Sequence, residues 1–323
     1  MKKVTVILLA AAACLVLIGV VVFCITMAAN QWDFSRLDND KQTTRTFDVT
    51  GDFRNISVLF ETEDVEFRLS GDGKCKVVCV EREKEPHTVS VADGTLKIER
   101  TDKREWYDHL TLFSFDKQTI TVYLTETGYE ALRMKGSTGD VKVPGDFGFG
   151  SIEIAVSTGD VDCRATSSGL LRIGTSTGDI RLENLLAGEL DLAVSTGRVE
   201  AASVVCGGDV TVRVSTGKTI LTDITCKNLY SDGSTGDISL KNVMASGIFS
   251  IERDTGSIKF ERCDAGELKI ETDTGDVSGS LLSDKVFFTH SSTGRISVPE
   301  TTSGGKCSIS TDTGSIRIEI LRD

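Results

Sequence analysis

The chain has 323 residues, 39% apolar and 26% charged, with 3 prolines and 6% aromatics. This is a globular composition rather than a disordered one, long enough for two or three ordinary domains or one long repeat domain. The formal net charge is −12; beyond residue 29 it is 34 basic against 48 acidic residues, a net −14, which argues against a nucleic-acid partner and against electrostatic docking onto anionic lipid.

Lys2 and Lys3 precede an uncharged run from Val4 to Ala29. About 20 apolar residues span a bilayer, so residues 1–29 read as a transmembrane signal-anchor. Two lysines ahead of the span favour a cytoplasmic N-terminus and an exported remainder at the cell membrane. The rival is a cleaved signal peptide with Thr26-Met27-Ala28-Ala29 as its small-residue site; signal cores usually run about 7–15 residues, shorter than this one. Cys14 and Cys24 lack a lipoprotein context and read as packing cysteines. Residues 30–45 are polar and aperiodic, a juxtamembrane linker with Trp32 and Phe34 at the lipid interface.

Residues 46–130 form an N-terminal β segment and cap. Phe47-Asp48-Val49 and Ile56-Ser57-Val58 alternate with period 2. Glu61-Thr62-Glu63-Asp64-Val65-Glu66-Phe67 has the shape of the repeats that follow, with Glu63 in place of glycine: a degenerate first coil. Cys75 to Val80 and Thr88 to Val91 are strands, and Asp93-Gly94 is a hairpin turn. Residues 101–118, with Trp106, Tyr107, His109, Phe113 and Phe115, break the rhythm, as expected of a segment covering the end of a repeat core.

From residue 131 to 323 a Ser-Thr-Gly or Asp-Thr-Gly mark recurs. Its glycines are Gly139, Gly159, Gly178, Gly197, Gly217, Gly236, Gly256, Gly275, Gly294 and Gly314, spaced 19 or 20 apart. A fixed period of this size marks a repeat array. Seven residues before each glycine the side chain is apolar, from Leu132 to Cys307; two after it is β-branched, from Val141 to Ile316; four and seven after it is mostly apolar. The residues between alternate outward. Each coil then has a strand, a tight turn at Thr-Gly, a second short strand and a loose corner such as Leu186-Ala187-Gly188-Glu189. The fold expected is all-β: a β-solenoid, parallel β-helix-like, of about ten 19–20-residue coils after one N-terminal transmembrane helix. A β-propeller is the rival, but its blades need about 40 residues.

Asp254-Thr255-Gly256, Asp273-Thr274-Gly275 and Asp312-Thr313-Gly314 spell an aspartic-protease triplet, yet Asp only replaces Ser in one column of a ten-row ladder. The residue after each glycine is often Asp (Asp140, Asp160, Asp179, Asp237, Asp276); Arg198, Lys218 and Arg295 interrupt the column, so it reads as a solvated ladder and not a calcium stack. The unbroken Thr column reads as ladder pairing, not an ice-matching face. Seven cysteines lie beyond the span, with no Cys-x-x-Cys. Cys206 and Cys226 both sit nine residues after a glycine, so they stack within disulfide range, although buried free thiols are the commoner outcome. His87, His109 and His290 are scattered. No Ser-His-Asp, His-Glu-x-x-His or phosphate loop is present, and no catalytic, cofactor or metal residues are assigned.

Ile120-Thr121-Val122-Tyr123-Leu124, Leu132 to Val141 and the serial Ser-Thr-Gly-Asp-Val/Ile units resemble a bacterial family of uncharacterised β-strand-repeat envelope proteins that carry an adhesin label. The resemblance covers about residues 46–321. It implies a cell-envelope location and a β-solenoid, and no catalytic residues. The function expected is a membrane-anchored extracytoplasmic β-solenoid, not an enzyme, with an adhesin-like or envelope-structural role. The alternative is an accessory sensor or regulator of an envelope-stress system, and a polysaccharide-acting enzyme ranks third. Expected partners are the membrane, through the N-terminal helix, and a protein or envelope ligand. End-to-end self-association is expected through the uncovered C-terminal strand Ile316 to Leu321.

Overall fold

A computed structural model of the protein describes residues 2–29, 32, 42–83, 85–101 and 117–322. Of the proposed linker, residues 30–31 and 33–41 lie outside the described residues, while residues 42–45 already belong to strand Gln42–Asp48; Trp106, Tyr107, His109, Phe113 and Phe115 of the proposed cap also lie outside them. Lys2–Ala29 is one helix. Within it Ile7–Ala29, at mean hydropathy 3.1, is long and apolar enough by length and composition to cross a membrane. The rest is a β-solenoid of about ten turns.

Coils are numbered 1 to 10 by their glycines, Gly139 to Gly314. Equivalent strands stack in parallel and in phase. Thr138, Thr158, Thr177, Thr196, Thr216, Thr235, Thr255 and Thr274 pair in succession from coil 1 to coil 8. The side chains pointing inward form continuous apolar columns. In coil 4 they are Leu190, Leu192, Val194, Val199, Ala201, Val204 and Cys206, none more than 3% exposed. Each buried Val or Leu contributes about 1.5–3 kcal/mol relative to exposure. Coil 5 keeps the phase with Thr219 inward and Ile220 half-buried. In coil 8 the corner column is filled by Leu281, and Leu282 stands half-buried beside it, because a bulge shortens the coil there.

The corner differs from expectation. Six residues after the glycine, Asn184, Ser203, Asp223, Asn242 and Arg262 take φ of 51 to 56°. Left-handed backbone at one recurring position makes a sharp bend, and Asn, Asp and Ser tolerate it better than β-branched residues. The stretch Leu186 to Glu189, expected as a loose corner, stays in the ladder, with Ala187 paired to Ser167 and Glu189 to Leu170 across a bulge.

Both ends of the stack depart from chain order. Asn55–Phe60 and Asp64–Leu69 form the degenerate coil, with Val65 paired to Val141 of coil 1. On their other side they pair in parallel with Thr95–Arg100 and Thr119–Leu124, which come later in the chain. Antiparallel strands His87–Ala92, Lys76–Arg82 and Gln42–Asp48 complete that end. The two-residue turn between Ala92 and Thr95 has φ of 52° at Asp93 and 67° at Gly94, the geometry of a tight hairpin.

At the far end coil 10 lies between coils 8 and 9. Leu268 of coil 8 and Phe287 of coil 9 both pair with Cys307 of coil 10. The C-terminal strand Ile316–Ile320 pairs along its length with Val277–Leu281, and its first two residues, Ile316 and Arg317, also pair with Ile296–Ser297. The C-terminal edge expected to be uncovered is thus covered at Ile316 and Arg317 and open on one side from Ile318 to Ile320. Coil 9 lies at the outer edge, and its inward positions carry half-buried Thr289, where most other coils carry an aliphatic side chain, and half-buried Ser291. Its second strand is two residues long and ends at Val298-Pro299, and proline and a short strand blunt an edge.

Candidate functional site

The Ser/Asp-Thr-Gly mark is a stacking device. A Cβ on Gly159 would lie 2.1 Å from Gly139 O, and one on Gly217 would lie 1.7 Å from Gly197 O. The glycine column is required by the coil beneath as well as by its own φ, 141° at Gly217. The following Asp column has a second task. Asp64 Oδ1 accepts the Asp140 N–H at 2.8 Å, Asp140 Oδ1 accepts Asp160 N–H at 2.9 Å, and Asp160 Oδ1 accepts Asp179 N–H at 2.8 Å. Each carboxylate satisfies a backbone donor that the turn takes out of the ladder. Where Arg198 and Lys218 replace Asp, the ladder runs straight through the turn, pairing Gly197 with Gly217 and Arg198 with Lys218. The aspartates of the three Asp-Thr-Gly triplets stand exposed at the Ser position. The Thr column is exposed too, and its pairing is through the backbone.

Coils 1 to 5 share a groove of about 490 Å³ on the outward face of the strands before the turn. Its floor is Ala155, Gly174 and Ala193, its wall the hydroxyls of Ser157, Ser176, Ser195 and Ser215, and Lys135 and Arg213 stand at its two ends. The small floor arises because three successive coils place Ala, Gly and Ala four residues before the glycine. Beside it, Arg172 Nε pairs with Asp191 at 2.9 Å, Arg213 also pairs with Asp191, and Arg133 faces Glu153 at 4.0 Å. Four cations meet two carboxylates here, a local excess of positive charge on an acidic chain.

The second concentration of chemistry is buried at the N-terminal end of the stack. Glu63 occupies the glycine position of the degenerate coil and lies under Gly139. Its Oε2 accepts the N–H groups of Glu61 and Thr62 at 2.7 and 2.9 Å; its Oε1 faces Arg100 Nη1 at 3.3 Å and His87 Nε2 at 3.4 Å. Glu81 Oε2 accepts the His87 N–H at 2.6 Å and meets His87 Nδ1 at 2.7 Å, while Arg45 Nη1 donates to Glu81 Oε1 at 3.1 Å. Arg100 also pairs with Glu85. The Gln118 amide, with its nitrogen turned to Glu63 Oε1 at 3.2 Å, accepts from Arg82 Nε at 3.1 Å. Burial works to raise the Glu63 pKa, but His87, the Glu61 amide and Arg100 outweigh it and bring it down to about 2. Burial works to lower the His87 pKa, but the carboxylates of Glu63 and Glu81 outweigh it and hold it above 6.5. Cys79 Sγ, Glu81 and His87 offer ligand atoms within 4.8 Å of one another, all buried. No spacing rule connects these three residues, because they come from a strand and a hairpin outside the periodic array.

Cys206 and Cys226 stack at the same position of coils 4 and 5 as free, buried thiols. Cys206 S–H lies between Gly188 O at 3.6 Å and Asp209 O at 3.5 Å. Burial pushes the Cys226 thiol up to about 12. His290 is exposed on coil 9, far in sequence and layer from His87.

No curated protein matches the chain. Among solved structures, a "putative adhesin" of Bacteroides fragilis NCTC 9343 is similar at 17% identity and TM-score 0.44, over 86% of this chain and 97% of that one. A "putative lipid binding protein" of Parabacteroides distasonis ATCC 8503 aligns at 18% identity and TM-score 0.47, covering 87% and 98%. A "putative adhesin" of the same organism aligns at 14% identity and TM-score 0.48, covering 86% and 98%. The Toastrack DUF4097 family model matches residues 53–212 and 207–323, together nearly the whole solenoid, and the chain belongs to that family.

Proposed function

We propose that this protein is a membrane-anchored, extracytoplasmic and non-catalytic binding rod whose groove over coils 1 to 5 takes an anionic envelope polymer. The observation that carries the reading is the groove itself: a row of serine hydroxyls over a small-residue floor, with a cation at each end. A polyhydroxylated chain offers donors and acceptors to such a row, and its acid groups offer charge to Lys135 and Arg213. The two carboxylates beside the groove are held in ion pairs with arginines, which suits positioning better than acid–base work. The adhesin-like names of the structural relatives agree with this reading. The apolar helix supplies the anchor, with the two lysines ahead of it setting the orientation.

The test uses the full chain in detergent micelles on immobilised polyuronate and neutral glucan. Salt-sensitive retention on the polyuronate alone is expected, and it should fall at least tenfold in the Lys135→Glu, Arg213→Glu double variant. Equal retention of that variant, or release of reducing ends from the polymer, would overturn the reading. The sensor alternative is favoured by one feature, the buried charged cluster at the end of the rod that follows the helix in the chain. Specific co-purification of a membrane regulator after crosslinking is the outcome that would select it.

A further inference from the structure

The buried charged cluster contains a donor set that ion pairing alone does not use. Cys79 and Glu81 are two residues apart on Lys76–Arg82, whose inward side carries Val77, Cys79 and Glu81. Side chains two apart on a strand share a face, so the thiol and the carboxylate point the same way. His87 opens the next strand and brings its ring onto Glu81. Thiolate sulfur, imidazole nitrogen and carboxylate oxygen are the three donor types that a borderline divalent ion such as Zn²⁺ accepts together. The side chains of Glu81 and His87 are 0% exposed, and Cys79 is 0% exposed as well.

The far side of the ring supplies an independent observation. His87 Nε2 is buried and has no hydrogen-bond partner. It points at Glu63 Oε1 from 3.4 Å, beyond good hydrogen-bond length. A metal-ligating histidine donates its other ring N–H to a carboxylate or carbonyl, which fixes the tautomer and the ring orientation. Glu63 stands in that place. It is held there by the N–H groups of Glu61 and Thr62 and by Arg100.

We propose that Cys79 Sγ, Glu81 and His87 Nδ1 form a binding site for a divalent transition-metal ion of the zinc type, with Glu63 as the carboxylate that orients His87. Three protein ligands leave the fourth position of a tetrahedral ion to a water molecule bound with it, as in three-ligand zinc sites. Binding forms the metal–sulfur, metal–nitrogen and metal–oxygen bonds and displaces the thiol proton and the Nδ1 proton to solvent. One dication replaces two protons, so the charge that Arg45 and Arg100 must balance is unchanged. No redox partner is required. The ion would tie strand Lys76–Arg82 and the hairpin of residues 87–100 to the degenerate coil through Glu63, at the end of the rod opposite coil 9. The inference is independent of the groove and of its polymer.

The test is Co²⁺ and Zn²⁺ titration of the full chain in detergent, after stripping with a chelator. The expected result is one Co²⁺ per chain with a thiolate-to-cobalt charge-transfer band, displaced by Zn²⁺. That band should vanish in Cys79→Ser and persist in Cys263→Ser, a buried thiol of the array. Glu63→Gln, a positioning variant, should keep the band and weaken binding by about 10- to 100-fold. Should Cys79→Ser fail to fold, His87→Gln offers the same readout, with the sulfur band retained and affinity lowered at least tenfold. Co²⁺ binding without a sulfur band, or an identical band in Cys79→Ser, would place the metal elsewhere. A stripped protein that takes up no metal would leave the cluster as an ion-pair network only. Either result overturns the proposal.

Discussion

The ten-coil array and the N-terminal end of the same sheet solve one problem in opposite ways. In the array each layer satisfies its neighbours with identical parts: paired strands, apolar columns and one Asp per turn accepting a backbone N–H. The N-terminal end has no repeating neighbour, and it buries Glu63, Glu81, Glu85 and His87 with Arg100 in a network made once. The difference teaches that repetition spreads stability over many small, replaceable terms. The end concentrates it in a few residues, where removing one partner is costly.

The comparison can be broken most severely at the far end. Ending the chain after Pro299 removes coil 10, strips coil 9 of its parallel partner and uncovers Leu268, Ile270 and Val277 of coil 8. We expect a loss of at least about 5 kcal/mol at 1.5–3 kcal/mol per uncovered side chain, read as loss of amide protection from residue 258 onward. Within the array, Gly217→Ala should cost roughly 3–5 kcal/mol, from strain at positive φ and a clash with the Gly197 carbonyl. Hydrogen exchange should then rise in coils 4 to 6 and stay low at 76–100. Glu63→Ala should reverse that pattern. It should cost about 3 kcal/mol by leaving Arg100 and His87 facing no carboxylate at that position, with faster exchange at 76–100 and a quiet array. Asp140→Ala is the smallest change. Losing one acceptor should cost about 1 kcal/mol, and Asp140→Asn, whose carbonyl still accepts, should restore most of it in urea melts. Thiol titration under denaturation adds a covalent check. All nine cysteines should react, and a deficit of two that mapped to Cys206 and Cys226 would show the stacked pair to be bridged.

The array was legible because its instructions are local and repeated. The spacing of the glycines predicts the coil length, and Val141 through Ile316 predict an inward column that the structure keeps even at Thr219 and loses at Ile296, 40% exposed on coil 9. Glu63 was readable as a stand-in for glycine because Asp64, Val65 and Phe67 continue the repeat around it. Other features left no periodic trace. The column three residues before the glycine is inward, yet it holds Gly136, Thr175, Gly233, Arg253 and Thr311, so no hydrophobic rhythm marks it. Arg253 is 1% exposed. Its Nη1 donates to Val214 O at 2.7 Å through the space left by Gly233, a compensation visible only once the coils are stacked. The placement of coil 10 had no cue in the spacing: Thr289 and Ser291 stand at inward positions of coil 9, but buried Ser231, Thr175 and Thr311 stand at the same positions of other coils. The buried cluster was invisible because its residues are joined by antiparallel strands that no spacing rule connects.

The interleaving of coils 9 and 10 also has a mechanical meaning. A chain delivered in order presents coil 9 before the layer it rests on exists, so the tip of the rod stays unassembled until the final strand arrives. Once seated, that strand is held along its length by Val277–Leu281 and, at Ile316 and Arg317, also by Ile296–Ser297. A pull on Ile320 first loads the single ladder to Val277–Leu281 and meets the second ladder only at Arg317 and Ile316. Resistance to force is governed by the unfolding rate and not by equilibrium stability, and this tail is fastened as a bolt is, by what was laid down before it on either side.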